Sequence, residues 1–479
     1  MRADTAYIGS LLWLPRTFMD LKLLQSNLTF TPQQDYTERS KAIRCWADTD
    51  THIGVPLYMF GSLHSTNFRS MFRDTGTHLI DLRPKQFEAI DIHSKVRLDA
   101  VRPDRDVQKR AVAAMLQNES GVVVLACGMG KSVVALHVAA QFKAPFIIVV
   151  DSKGLQQQWA GEARSFLMDS AGNAPEIGFV GDRKRQWDRP IVIALVQSLH
   201  DHAKNLSEDI KRRFAVSIWD ECDLLGAPKF SKAAPLFFGR RYGLSATPQR
   251  ADGLEEMYYL HLGQPIIRDL RQDLKPLFYF YRTQKYVDVN SDTYRGHVMS
   301  SGTTNIPNLF TYLVGIPQRT AEIIQLVNKG VQAGRKIMVV SHRLDMLDQL
   351  KAAFPDAGVI KGDVSGDERD FVRRNKDVIL CQLRLAAKAF NKQDLDMMVI
   401  CEPFRRDAIF QQVIGRVQRW RENKPTPIVV FVEDPVGPCL GMCKHLKKLI
   451  NNWPEEQGGP FSWRYVEDGR QQSLGGFDW

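Results

Sequence analysis

The chain has 479 residues, 44% of them hydrophobic, with a formal net charge of +10 and a pI ≈ 9.2. That length exceeds what one core supports and implies about three domains, while the ordinary composition excludes a disordered or fibrous chain. The basic balance favours a polyanionic partner, since each phosphate neutralised by Lys or Arg releases condensed counterions, although a merely basic soluble protein has the same balance.

Seven cysteines spread from Cys45 to Cys443 without paired spacing argue against a disulfide framework or a zinc module, and Cys439-x-x-x-Cys443, the one spacing that metal ligands could use, has no matching second pair. No stretch approaches the ~18 uninterrupted apolar residues of a membrane span, and the first residues lack a leader's apolar core. The expectation is a soluble intracellular protein in a reducing compartment, such as the cytoplasm of a bacterial host.

Residues 1–96 alternate short apolar runs with polar turns and predict a small α+β domain. Its Arg39, Lys41, Arg44, Trp46, Arg69 and Arg73 suit a nucleic-acid-facing patch, and suit equally well a core whose charges are solvated. Residues 97–262 read as an α/β domain. Arg105 and Gln108 stand just ahead of an apolar helical face at Ala111–Leu116. An amide donates and accepts at once, which suits an adenine edge, whereas a helical Gln is also commonly solvated. Arg105 joins it as a nucleotide-binding candidate.

The apolar run Val122-Val123-Val124 then leads through Leu125-Ala126-Cys127-Gly128-Met129-Gly130-Lys131-Ser132-Val133 into a helical pattern. Strand, glycine turn, Lys-Ser and helix make a layout for a polyphosphate: bare amides and the helix end cradle it, Lys131 neutralises its outer charges, and Ser132 can bind magnesium. Leu125 stands where the full pattern has glycine, so this stretch alone also fits a glycine-rich turn with a surface lysine.

Further apolar strands at 146–150 and 191–195 end in Ser152, Lys153, Gln197 and Ser198, polar residues at what would be the functional edge of a parallel sheet. They are candidates for a nucleic-acid backbone, and equally for helix caps. Val216-Ser217-Ile218-Trp219 runs into Asp220-Glu221-Cys222-Asp223; Asp220 could hold magnesium and Glu221 could orient and deprotonate an attacking water. Ser245 and Thr247 in Ser-Ala-Thr-Pro could link nucleotide state to substrate.

Residues 263–318, rich in proline and aromatics, read as a connecting segment, and 319–434 as a second α/β series without a phosphate loop. Strands alternate with helices in both halves, which predicts two doubly wound parallel-sheet domains. His342 and Arg343 follow the strand Lys336–Val340 as coupling or backbone-binding candidates. In Gln412-Val413-Ile414-Gly415-Arg416-Val417-Gln418-Arg419 a helix would put Gln412, Arg416 and Arg419 on one face, able to close on a phosphate. The tail, 435–479, reads as a basic helix with Lys444, His445, Lys447 and Lys448.

With these motifs in order, residues 100–434 resemble the superfamily 2 helicases and translocases. Within them the chain is most similar to the branch containing XPB and the phage recombination helicase UvsW, with related viral DNA helicases. The pointers are Leu-Ala-Cys-Gly-Met-Gly-Lys-Ser, Tyr-Gly-Leu-Ser-Ala-Thr-Pro-Gln-Arg-Ala-Asp-Gly at 242–253, and Gln-Val-Ile-Gly-Arg-Val-Gln-Arg. The resemblance implies two tandem RecA-like domains, ATP and Mg2+ as cofactors, Lys131 and Ser132 on phosphate and metal, Asp220 and Glu221 as metal and water residues, Arg416 and Arg419 as fingers, and Gln108 on adenine.

It further implies a helicase on duplex, forked or branched DNA, held mainly through backbone phosphates, as in recombination or repair. Asp-Glu-x-Asp is also similar to the RNA helicases of the DEAD-box kind, which open the last motif with His-Arg where this chain has Gln412-Val413. At the fifth motif Lys388, Ala389 and Asn391 replace the acids and glycine of relatives. That departure motivates a rival reading, a nucleotide-gated DNA clamp with weak or uncoupled ATP turnover.

Overall fold

Long β-branched runs such as Phe146–Val150 and Ile428–Glu433 are buried along their whole length, as strands covered on both faces by helices must be. The computed structural model describes the chain except residues 3, 32–41, 99–102, 203–204, 228–229, 250–252, 272–273, 301, 363, 365, 389–391, 420, 422 and 467–479. It divides into two compact units, Met1–Leu125 with Met129–Asp269, and Leu270–Trp479 with Ala126–Gly128.

In the first unit eight strands form one sheet. Their order is Lys184–Arg185, Ile177–Gly181, Ile191–Leu195, Phe146–Val150, Val216–Asp220, Arg240–Ser245, Ser120–Leu125 and Pro265–Asp269. Only the Lys184–Arg185 hairpin is antiparallel. The register pairs Asp220 with Leu244 and Ser245 with Val124, so three strands deliver their C-terminal residues to one edge.

A smaller five-stranded sheet, Ala47–Asp48, His52–Val55, Leu12–Pro15, Thr5–Ile8 and His78–Asp81, lies within the same unit. It is mostly antiparallel, and the helix Thr66–Asp74 buries Phe68 and Phe72 in its core. Leu254, just ahead of the helix Glu255–Leu262, and Met257 within it complete that core. The wholly buried Arg241 ties the two layers together, donating to the carbonyls of Ser10 at 2.6 Å, Phe237 at 2.7 Å and His261 at 3.2 Å.

The second unit holds a seven-stranded sheet, all parallel: Gly358–Ile360, Val378–Gln382, Ile337–Ser341, Met397–Ile400, Ile428–Glu433, Leu277–Arg282 and Trp463–Tyr465. Two stretches do more than the sequence suggests. Residues 263–318, expected as a connection, contribute the edge strand Pro265–Asp269 to the first sheet and the interior strand Leu277–Arg282 to the second. The tail is likewise built in: Gly437–Asn451 buries Cys443, Leu446 and Ile450 in the second core, and Trp463–Tyr465 adds the last strand.

The tail's basic face is also not simply solvated. Lys447 binds Glu433 at 2.5 Å and lies over the rings of Phe280, Tyr465 and Trp463 at 4.4, 4.5 and 4.6 Å. Such a desolvated cation–aromatic stack locks the terminal strand onto the sheet.

Candidate nucleotide site and strand-end residues

The strand Ser120–Leu125 ends buried, and the chain turns through Gly128 (φ +87°) and Gly130 (φ +81°) into the helix Lys131–Gln141. Both glycines are left-handed, a conformation other residues adopt only at a cost of about 1 kcal/mol or more. Gly130 has a second constraint: a Cβ there would lie 2.3 Å from the Gln108 amide nitrogen. Gln108 is 2% exposed and donates to the Met129 carbonyl at 3.1 Å, bracing the loop from beneath. Lys131 Nζ donates to the Leu125 carbonyl at 3.2 Å, so its ammonium is folded over the loop. Ser132 and Val133 are half-buried in the first helical turn. Arg105 lies in the helix Pro103–Gln117 that carries Gln108, and its side chain lies outside the described residues.

Two strands away, Asp220 closes Val216–Asp220. Its Oδ2 accepts from Trp159 Nε1 at 2.8 Å and its Oδ1 from the Glu221 N–H at 3.2 Å. Burial, then the Glu221 charge, pushes its carboxyl up to about 7, opposed by the Trp159 hydrogen bond and by the Lys131 ammonium. Glu221 itself has φ +47°, a left-handed conformation that costs a non-glycine residue about 1–3 kcal/mol and recurs at functional turns. A half-buried carboxylate aimed by two N–H donors, with an ammonium and a loop of bare amides at the same sheet edge, fits a magnesium–triphosphate pair in charge and donor type.

Ser152 caps the helix Lys153–Phe166, accepting from the Leu155 N–H; Lys153 pairs with Asp182 at 2.6 Å; Gln197 donates to the Asp151 carbonyl at 2.8 Å. Ser198 is half-buried in the helix Val196–His202. Ser245 is buried, and its hydroxyl accepts from the Thr247 N–H at 3.1 Å, which tightens the Ser-Ala-Thr-Pro turn. Arg44 stacks on Trp46 at 5.5 Å; Arg39 and Lys41 lie outside the described residues.

In the second unit, His342 and Arg343 follow the strand Ile337–Ser341. Glu402, 1% exposed, accepts from the His342 N–H at 2.9 Å and from the Ser341 hydroxyl at 2.9 Å, fixing that turn. Burial, then Arg384, Arg343 and Arg406, holds the His342 imidazole down at about 4, so it is neutral at physiological pH.

The helix Asp407–Val417 buries Phe410, Val413, Ile414 and Val417 and leaves Gln412 and Arg416 half-buried. Arg416 Nε donates to the Ala386 carbonyl at 3.1 Å. Arg419 does not share that helical face: the helix stops at Val417, and Lys424 takes the Val417 and Arg419 carbonyls at 2.7 and 2.8 Å. Ala389, Asn391 and the Lys388 side chain lie outside the described residues.

Sequence reasoning passed over Trp159 as a holder of Asp220, and Gln156, whose buried amide donates to Val180 and Ile193 at 3.0 and 2.9 Å across two strands. A polar residue on an otherwise apolar helix face is the signal at Gln156. Trp159 gave none, since a tryptophan there reads as core.

Bare amides, an ammonium and a half-buried carboxylate at one sheet edge, followed in the chain by a second parallel-sheet domain, make the layout of a two-domain protein with a nucleotide site. Residues 80–250 match the family described as "Type III restriction enzyme, res subunit". The chain is 24% identical over 371 residues to "Probable helicase D10" of Escherichia phage T5, covering 74% of this chain and 77% of that protein. It is 24% identical over 469 residues to "Putative ATP-dependent RNA helicase L396" of Acanthamoeba polyphaga mimivirus, covering 94% and 85%. To "DNA 3'-5' helicase XPB" of Mycobacterium tuberculosis it is 29% identical over 273 residues, 56% of this chain and 48% of that protein. Among solved structures, S. cerevisiae Dbp5 bound to RNA and ADP BeF3 shares the fold, with a TM-score of 0.51, 12% identity, and coverage of 75% and 89%. These similarities make the chain an ATP-hydrolysing helicase, consistent with the superfamily 2 helicases of the XPB and viral type, and imply that it binds nucleic acid. Among the described residues no helix is long and apolar enough to cross a membrane.

Proposed function

We propose that this helicase is a DNA motor that tracks duplex, forked or branched DNA through its backbone phosphates, as in recombination, repair or fork remodelling. The observation that carries the choice of DNA is the last motif, Gln412-Val413-Ile414-Gly415-Arg416, which lacks the His-Arg opening of DEAD-box RNA helicases. The similarity to proteins named as XPB DNA helicases and the charge of +10 support it.

In this reading the amides from Cys127 to Val133 take the phosphates, with Lys131 on the outer ones, and Gln108 holds the loop in register for the nucleotide. Ser132 and Asp220 would hold Mg2+, which when bound supplies charge neutralisation at the transferring phosphoryl group. Glu221 orients a water and accepts its proton. Arg416 and Arg419, with Gln412, neutralise charge from the second domain, a contribution worth roughly a thousandfold or more. Ser152, Lys153, Gln197, Ser198, Ser245, Thr247, His342 and Arg343 serve the DNA backbone or its coupling to hydrolysis.

The test is steady-state ATP hydrolysis by the wild type and Lys131→Ala with no nucleic acid, single strand, duplex, four-way junction and RNA. Duplex or branched DNA stimulates the wild type, and Lys131→Ala lowers the rate by about a hundredfold or more. Stimulation by RNA alone overturns the choice of DNA.

A further inference from the structure

The helix Glu255–Leu262 stands between three parts of the first unit. On one side Leu254 and Met257 are core residues of the N-terminal sheet layer, and the Leu260 carbonyl accepts from the Tyr58 N–H at 3.0 Å. Toward the main sheet, a Cβ at Gly243 would meet Cys222 Sγ at 2.8 Å and Leu262 Cδ1 at 2.9 Å. The helix therefore packs against the turn that follows the Asp220-Glu221 pair. From its centre Tyr258, wholly buried, donates its hydroxyl to the Pro248 carbonyl, the last residue of the Ser245–Pro248 turn.

A buried phenol hydroxyl needs a partner, and a carbonyl in a short loop is thereby fixed in position. The Ser245–Pro248 turn is thus held at both ends: at Ser245 by its own strand and by the Thr247 N–H, at Pro248 by Tyr258. The helix that supplies Tyr258 is in turn seated on the N-terminal layer. We propose that Tyr258 is a positioning residue that links the N-terminal layer to the Ser245–Pro248 turn and so couples nucleic-acid engagement to ATP hydrolysis. This rests on the reading of that turn as the coupling element.

The experiment uses the full chain and compares Tyr258→Phe, Thr247→Ala and Tyr242→Phe. Tyr242 is an equally buried tyrosine on the preceding strand whose hydroxyl donates instead to Met115 at 2.6 Å and Asn118 at 2.8 Å, away from the turn. It controls for the stability lost with any buried hydroxyl. ATP kcat and KM are measured with and without DNA, alongside thermal unfolding. Tyr258→Phe is expected to cut the DNA stimulation of kcat by about fivefold or more, the scale of an intersite coupling, with KM for ATP within about twofold. Thr247→Ala behaves alike and Tyr242→Phe keeps its stimulation. If Thr247→Ala keeps full stimulation, the turn is not the coupling element and the underlying reading fails. If Thr247→Ala loses stimulation while Tyr258→Phe keeps it, or if Tyr242→Phe loses as much as Tyr258→Phe, the role of Tyr258 is overturned.

Discussion

Asp220 ends its strand in the first sheet half-buried, held by two N–H donors and, among the described residues, by no ion pair. At the corresponding ends of the second sheet, Glu433 and Asp434 are fully buried, and they are paired. Arg319, itself wholly buried, grips Asp434 at 2.7 and 2.9 Å, and Arg282 and Lys447 hold Glu433, each at 2.5 Å. Burial pushes the Glu433 carboxyl up, but the Lys447 and Arg282 hydrogen bonds outweigh it and hold the group below its ordinary range. One fold therefore uses strand-end acids in two ways. Where the cation is built into the protein, the acid is structural; where the acid is left short of positive charge, it can take a metal or proton from outside.

The sharpest way to break this contrast is to remove the built-in cation. Arg319→Leu leaves Asp434 charged and uncompensated in the second core, and is expected to cost about 3–5 kcal/mol in denaturant unfolding. A loss under 1 kcal/mol would mean that Asp434 does not depend on Arg319.

Next in size is the opposite change at Asp220. A carboxyl raised from 3.8 to about 7 by folding favours the protonated form. Below about pH 4 folded and unfolded states both hold the proton and nothing is lost; between about pH 4 and 7 the unfolded state ionises while the native state keeps its proton, so stability falls across that window and levels off above it. Asp220→Asn is therefore expected to stabilise the nucleotide-free protein by about 2 kcal/mol at pH 8, to do little at pH 4, and to abolish hydrolysis at both. Equal stability of variant and wild type across that range would show that Asp220 is not strained by burial.

The smallest effect separates capping from nucleic-acid contact at the first sheet's edge. Ser152→Ala removes the cap of Lys153–Phe166, with an expected loss of about 1 kcal/mol in unfolding. If Ser152 also meets a phosphate, DNA affinity falls at every salt concentration; unchanged affinity would leave it a cap alone.

What the sequence made legible is whatever its local pattern encodes. The Gly128–Ser132 loop, the Asp220-Glu221 pair and the long apolar strands announce themselves because turn chemistry and strand burial are written in neighbouring residues. Contacts between distant residues are not. Nothing near Trp463 marks an edge strand, since its partner is Phe278, 185 positions earlier by number (463 − 278). Nor does the spacing from Gln412 to Arg419 mark the helix end at Val417, where the Lys424 ammonium, which burial holds at about 8, takes the carbonyl. Arg419 therefore looked helical by spacing and is not. Tyr258 reads as one more aromatic in a helix until its hydroxyl is seen on Pro248.

The measurement that tests the account most directly is displacement of a labelled triplex-forming oligonucleotide from duplex DNA by the wild-type chain, with ATP and with a non-hydrolysable analogue. A DNA motor displaces it only with ATP, and Lys131→Ala displaces nothing. Tight analogue-dependent binding with no displacement under ATP would contradict the motor and leave a nucleotide-gated clamp.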